Sequence, residues 1–303
     1  MDAATTLLAT AAIFTVTLLY AAMGELVSQR AGAVNVSVEG MMLGSAFLAT
    51  VVAQRSNVMV GVLGGVAAGL VVAAAQALLS HYWKADQFVI GLSLNILVLG
   101  LTSFLQEKVT IRPKTPGRWK LPLLHEVPVL GDSLFSRSWL SYLLLPVVPI
   151  VWFSLYRTRW GLQIRSVGDD AESAELAGVP VGRRRRQAVL VAGLGAGLAG
   201  AHLALADVGT FTQNMTAGTG FIVIAAVLFG SWRVSGVVYG CALFGTTESL
   251  RLALPAFGVS LTPELLIVAP YLLALATLLT LRRRSRQPGC LGRPFFALAP
   301  SAR

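Results

Sequence analysis

The residues able to do chemistry are few, and they lie in or beside apolar runs. Glu39 follows Asn35 and Ser37 where one apolar segment begins. Asn95 sits mid-run in Gly91-Leu92-Ser93-Leu94-Asn95, and Gln213, Asn214 and Thr216 precede another apolar segment. Hydrocarbon penalises ionisable and amide groups, so at membrane depth they are functional candidates by default. Amides and hydroxyls both donate and accept hydrogen bonds, which suits a neutral polar solute. Each residue alone reads equally as glue between helices. Asn35 and Asn214 stand apart because they occupy matching polar, glycine-containing stretches, Asn35–Met41 and Asn214–Phe221. Both run from Asn through a hydroxyl residue to Gly and then into a helix. Glu248 with Arg251 three residues on reads as a local ion pair as readily as a site. His202, inside an apolar run, reads as a hydrogen-bonded packing residue.

Other chemistries find no footing. His81, His125 and His202 are scattered, with no His, Cys or carboxylate beside them at metal-ligand spacing. Cys241 and Cys290 make no disulfide framework. There is no Gly-x-Ser-x-Gly elbow and no Walker sequence, so the chain binds no ATP through a P-loop of its own. An ion-coupled pump wants several buried carboxylates. Glu39 and Glu248 are the most this chain is expected to offer, which argues against self-powered transport.

The elements that must position these residues are membrane helices. Of 303 residues 55% are hydrophobic and 13% charged, against about 25% charged in a soluble domain, and the mean hydropathy is +0.71. Apolar segments fall at Ala3–Met23, Gly40–Ala53, Val58–Leu79, Phe88–Leu105, Trp139–Leu155, Ala188–Ala206, Gly220–Ser231, Val237–Leu254 and Leu265–Leu281. A span needs roughly 20 apolar residues. The expected fold is an all-α polytopic membrane protein of eight to ten transmembrane helices, arranged as two pseudo-repeated halves with short interrupted helices. The second and seventh segments are short and follow irregular stretches, the pattern that points to a transporter's pathway. Gly61, Gly65 and Gly69, Gly193, Gly197 and Ala201, and Gly236 and Gly240 recur at the four-residue spacing that lets helices approach closely.

The densest charge lies between the halves, from Tyr156 to Gln187, with Arg157, Arg159, Arg165 and the run Arg183–Arg186. The net charge of +10 therefore reads as positive-inside topology and contact with anionic lipid, not nucleic acid. Residues 1–155 form an N-terminal membrane half, 156–187 a cytoplasmic loop, 188–281 a C-terminal membrane half and 282–303 a basic cytoplasmic tail. Within the loop, Asp169-Asp170-Ala171-Glu172-Ser173-Ala174-Glu175-Leu176-Ala177-Gly178 reads as a brief helix. Asp169 or Asp170 can cap it, the glutamates favour its positive end, and Gly178 with Pro180 ends it. Two turns of helix do not stand alone in water, so this one needs something to dock on.

Several blocks carry a resemblance. Gly24-Glu25-Leu26-Val27-Ser28-Gln29-Arg30-Ala31-Gly32-Ala33-Val34-Asn35-Val36-Ser37-Val38-Glu39-Gly40-Met41-Met42, Asp86–Asn95, Tyr156–Gly168 with Ala177-Gly178-Val179, and Val208–Phe221 run in order. Together they resemble ABC-transporter permeases of the branched-chain amino acid and simple-sugar permease superfamily, in particular the nucleoside type served by a lipoprotein. Asp169-Asp170-Ala171 and Ser37 depart from that pattern in detail. The resemblance implies a multi-pass subunit of the bacterial plasma membrane that is not itself an enzyme. Its partners would be a second homologous permease, a cytoplasmic ABC ATPase that binds ATP and Mg, and an extracellular solute-binding lipoprotein. This chain would hold no cofactor and no metal. The solute would be a small polar molecule, a nucleoside first, with simple sugars or branched-chain amino acids as alternatives and a proton-coupled carrier as a more distant one. Asn35, Ser37, Glu39, Asn95, Gln213, Asn214 and Thr216 would line its path. Asp169, Asp170, Glu172, Glu175, Leu176 and Gly178 would form the helix that fits the ATPase.

Overall fold

The structure, a computed structural model, describes residues 3–81, 83, 85–109, 114–120, 136–253, 268, 272 and 287–293. Helix dominates. Among the described residues, five helical stretches are long and apolar enough to cross a membrane: Leu7–Arg30, Val58–Ser80, Gln87–Lys108, Trp139–Arg157 and Val181–Val208. The chain is an all-α, multi-pass membrane protein. The last apolar segment expected from the sequence, Leu265–Leu281, lies outside the described residues apart from Val268 and Leu272, as does most of the basic tail.

The first helix, α1, runs Ala3–Arg30, seven residues beyond the apolar run that announces it. It packs on α9 (Val181–Ala201), α10 (Thr219–Phe229) and α11 (Val234–Ala253). The next helices, α2 (Val38–Arg55) and α3 (Val58–His81), pack on each other and on α9. They are followed by α4 (Gln87–Lys108), whose start is capped by Asp86 accepting from the amides of Phe88 and Val89. A short antiparallel pair, β1 (Arg118–Lys120) with β2 (Ser136–Ser138), sets Trp119 opposite Arg137. The apolar segment after it is split into α5 (Trp139–Tyr142) and α6 (Leu144–Arg157).

Small residues bring the central helices together. A Cβ at Gly69 on α3 would lie 2.5 Å from the Gly193 carbonyl oxygen and 2.8 Å from the Gly197 Cα on α9. On the neighbouring face the Ser45 hydroxyl of α2 donates to the Gly197 carbonyl at 2.5 Å. In lipid the apolar effect between helices is weak, so such packing and hydrogen bonds carry the assembly. Beyond Ala201 the helix widens into a π turn, His202–Val208, ended by the left-handed Gly209.

The stretch expected as a charged loop is mostly helical. Thr158 caps α7 (Arg159–Asp169) by accepting from the Gly161 amide, and α8 (Ala171–Leu176) follows. The arginine run forms the opening turns of α9, so that helix begins seven residues before the apolar segment. Arg185 is 1% exposed inside the bundle, while Arg183 and Arg186 are exposed.

Candidate functional site

Two irregular segments bring the polar residues together. Residues 31–37 lead from the end of α1 into α2, and residues 209–218 lead from the π turn into α10. The first runs beside α4: a Cβ on Gly91 would meet Val36 and Ser37, one on Gly40 would meet Asn95, and one on Gly44 would meet Val98. Thus α2 starts well inside the bundle rather than at its end. Asn95 clamps that start from the side, its Oδ1 accepting from the Gly40 amide (2.8 Å) and its Nδ2 donating to the Val36 carbonyl (3.0 Å).

Glu39 joins the two segments. Its Oε1 accepts from the Thr216 hydroxyl at 2.6 Å and the Gly218 amide at 2.8 Å, and its Oε2 accepts from the Gly220 amide at 2.6 Å. The carboxylate therefore fills the amide-rich N-terminus of α10, where free N–H groups and the helix dipole favour an anion. Hydrogen bonds to a charged acceptor contribute about 1.5–3 kcal/mol each. They hold a backbone that would not otherwise persist: Asn214, Ala217 and Gly218 have φ of 53°, 43° and 88°. Asn visits the left-handed region readily, whereas an alanine there costs about 1–2 kcal/mol.

The sequence-predicted residues separate by environment. Asn35, Ser37 and Thr216 have no exposed surface, and Glu39 is 9% exposed. The Ser37 hydroxyl donates to Asn35 Oδ1 at 2.8 Å, and Asn35 Nδ2 reaches the Met41 sulfur at 3.6 Å. Asn95 is half-buried, while Gln213 and Asn214 are exposed, with Gln213 donating to the Ser103 hydroxyl at 3.1 Å. The two matching segments meet through Glu39 and Thr216, but their asparagines occupy opposite environments.

A cavity of about 500 Å³ lies on the other side of Thr216, between α1, the π turn, α10 and α11. Phe14, Phe244 and Thr17 line it together with Asp207, Thr219 and Arg251. A mostly apolar chamber with a few directed polar groups is the usual form of a small-molecule site. Arg251 is ion-paired with Glu248 at its edge, the local pair that the spacing suggested. His202 is a packing residue in structure as in sequence: Nδ1 pairs with the Thr17 hydroxyl at 2.8 Å and Nε2 with the Ser141 hydroxyl at 2.9 Å.

Buried carboxylates are more numerous than the sequence suggested. Glu25 is fully buried on α1, where Oε1 accepts from Gln29 Nε2 at 2.9 Å, and Gln29 Oε1 accepts from the Trp232 indole at 2.8 Å. Asp207 is half-buried at the cavity wall. Glu25 lies past Met23, where the apolar run ends, so hydropathy does not mark it as buried. Its only sequence signal is a place in the resembling Gly24–Met42 block.

At the arginine-rich end, α8 forms as its sequence predicts. Asp170 caps it, Oδ1 accepting from the Glu172 and Ser173 amides and Oδ2 from the Ser173 hydroxyl. The Ser173 hydroxyl first, with that residue's amide, holds the Asp170 carboxyl below the usual aspartate range. Gly178 is left-handed at φ 81° and ends the turn. Ala171 and Ala174 pack inward on Val167 and Val181. Asp169, Glu172 and Leu176 are exposed, Leu176 by 78%, and Glu175 is half-buried.

Comparison with known proteins places this architecture. The chain is 41% identical over 257 residues, 82% of this chain and 77% of the relative, to TsgC13 of Haloferax volcanii, an ABC transporter permease assigned provisionally to glucose. It is 31% identical over 301 residues, 94% of each chain, to the guanosine ABC transporter permease protein NupQ of Bacillus subtilis. It is 32% identical over 284 residues, 88% of this chain and 89% of the relative, to the nucleoside ABC transporter permease protein NupC of Lactococcus lactis. The model of the branched-chain amino acid transport system / permease component family matches residues 7–280. A bundle of membrane-spanning helices with irregular segments packed inside it, and a family model matched across nearly its whole length, lead to one assignment: the chain belongs to the branched-chain amino acid transport system / permease component family and is an ABC-type membrane permease.

Proposed function

We propose that this chain is the permease subunit of an ABC importer that carries nucleosides across a bacterial plasma membrane. The observation that carries the reading is the Glu39 joint: two irregular segments meet at mid-depth below a chamber of solute size. The cavity receives the solute, its aromatic walls suit a flat base, and its hydroxyls and Asp207 suit ribose hydroxyls. Thr216, Asn214 and Gln213 present the mobile side of the path. Asn35, Ser37, Glu39 and Asn95 hold the other side in place.

The arginine-rich end faces the cytoplasm, and there α8 docks on a separate ATPase through Leu176, Glu172 and Glu175, with Asp169, Asp170 and Gly178 shaping the turn. That partner binds ATP and Mg; this chain binds neither. A second homologous permease completes the pathway, and an extracellular solute-binding lipoprotein delivers the cargo. Two relatives named for guanosine or nucleosides, matched over most of their length, support this cargo. A sugar is the second reading, because the Haloferax relative is the more identical one.

The test is uptake into proteoliposomes holding the complete importer with ATP inside, offered labelled nucleoside or glucose. Accumulation of nucleoside, with glucose unable to compete, is expected. Accumulation of glucose alone would replace the cargo. Uptake by this chain alone, abolished by collapse of a proton gradient, would replace the mechanism.

A further inference from the structure

A short piece of the C-terminal tail, residues 287–293, folds as a turn against the arginine-rich end of the bundle, far in sequence from everything it touches. The Cys290 amide donates to the Gly168 carbonyl at 2.8 Å, and the Gly292 amide donates to the Gly32 carbonyl at 3.0 Å. The Arg293 carbonyl accepts from the buried Arg185 guanidinium at 2.7 Å. The Ala171 amide, at the start of α8, points at the Cys290 sulfur at 3.4 Å. Leu291 packs on the main core, and Cys290 packs on the cluster of Val167, Ala171, Ala174 and Val181 beneath α8.

Glycines let three backbones meet there. A Cβ on Gly168 would collide with the Arg30 carbonyl oxygen and lie 3.1 Å from the Gly32 nitrogen. One on Gly289 would lie 2.5 Å from the Asp169 carbonyl oxygen. Gly292 has φ 74° and Gly32 φ 81°. Tight backbone contact of this kind transmits displacement, because no flexible side chain intervenes to absorb it.

We propose that this tail turn is a positioning element for coupling. It ties the start of α8 to the turn between α1 and α2 and so carries movement of α8 to the segment that holds Asn35 and Glu39. The connection is short. From Gly32 the chain reaches Asn35 in three residues, with the Val34 amide held by Gln87 Oε1 at 2.8 Å on the way. Cys290, Gly292 and Arg185 act through α8 and Gly32 and touch no solute. The proposal rests on the reading of α8 as the ATPase-contacting helix.

The test uses the complete importer in proteoliposomes with Gly289→Val, a substitution at an exposed position of the turn that drives it off Asp169. Cys290 labelling by a maleimide reports whether the turn has left. Solute-stimulated ATP turnover and uptake per ATP report coupling. Labelling is expected to rise about tenfold and solute stimulation to fall about fivefold or more, with basal ATP turnover and assembly retained. Cys290→Ser, which keeps a small polar atom against the Ala171 amide, is expected to couple as the native protein does. Faster labelling with unchanged coupling would overturn the positioning role, and labelling at the native rate would overturn the docking itself. A companion variant altered at Glu172, Glu175 and Leu176 keeps the two readings separate. If it alone remains fully coupled, the assignment of α8 fails; if it uncouples while Gly289→Val does not, the tail proposal fails.

Discussion

Glu39 takes a formal charge to the middle of an apolar bundle, and three donors from the far half of the chain meet it. Glu39→Ala leaves those donors buried without that acceptor and is expected to destabilise the protein by about 1–3 kcal/mol for each donor that finds no other partner. A thermal melt in detergent reads the loss. Glu39→Gln keeps the shape but turns one acceptor into a donor facing N–H groups, so it is expected to fall between the two. Asp170 makes a prediction about pH. Its folded carboxyl is held below its unfolded value, so its contribution to α8 is full above the ordinary aspartate range and is lost as pH falls through the folded value. Protection of the Glu172 and Ser173 amides, measured against the intrinsic exchange rate at each pH, is therefore expected to fall at acid pH, and in Asp170→Ala to be low already at neutral pH. Unchanged protection in that variant would remove the cap from the account. At this scale the sequence is legible where a charge interrupts an apolar run, as at Glu39. It is illegible for Glu25, just past the point where hydropathy ends the helix, and for the partners of Glu39, some 180 residues away.

Between elements, contact depends on small side chains more than on hydrophobicity. Gly69→Leu places its side chain where α9 already stands, and overpacking of this kind costs about 1–3 kcal/mol. Less properly folded protein on size-exclusion chromatography is the expected result. Gly100, whose Cβ would meet nothing within 4 Å, is expected to tolerate leucine. Replacement of Glu172, Glu175 and Leu176 leaves Ala171 and Ala174 packed, so the permease is expected to insert and assemble while solute-stimulated ATP turnover falls about tenfold. The spacing of Gly61, Gly65 and Gly69 is enough in itself to announce a tight interface, and Asp170 and Gly178 are enough to announce α8. The boundaries of α9 are not legible in this way. Arginines mark the end of a hydropathy segment, yet the helix continues through them: Arg183 and Arg186 lie exposed, Arg184 donates to Gln187, and the buried Arg185 donates to the Arg293 carbonyl.

For the whole molecule, two irregular segments among the described residues, 31–37 and 209–218, meet inside the bundle, and the Glu39 carboxylate closes one against the other. Irregular backbone survives inside a membrane only when protein satisfies its polar groups or water lines it, and here Glu39 satisfies the Thr216 hydroxyl and the Gly218 and Gly220 amides. The sequence shows the two irregular stretches by their polar residues and glycines but not that they meet, since contact between distant segments is set by how α1, α2 and α9 pack. In the proposed importer this joint is the part of the solute path that moves. It is tested most directly by ATP-driven nucleoside uptake into proteoliposomes holding the complete importer with Glu39→Gln in this chain. An assembled complex with basal ATP turnover, whose uptake is slowed about tenfold or more, is the expected result. Uptake at the native rate in that variant would contradict it.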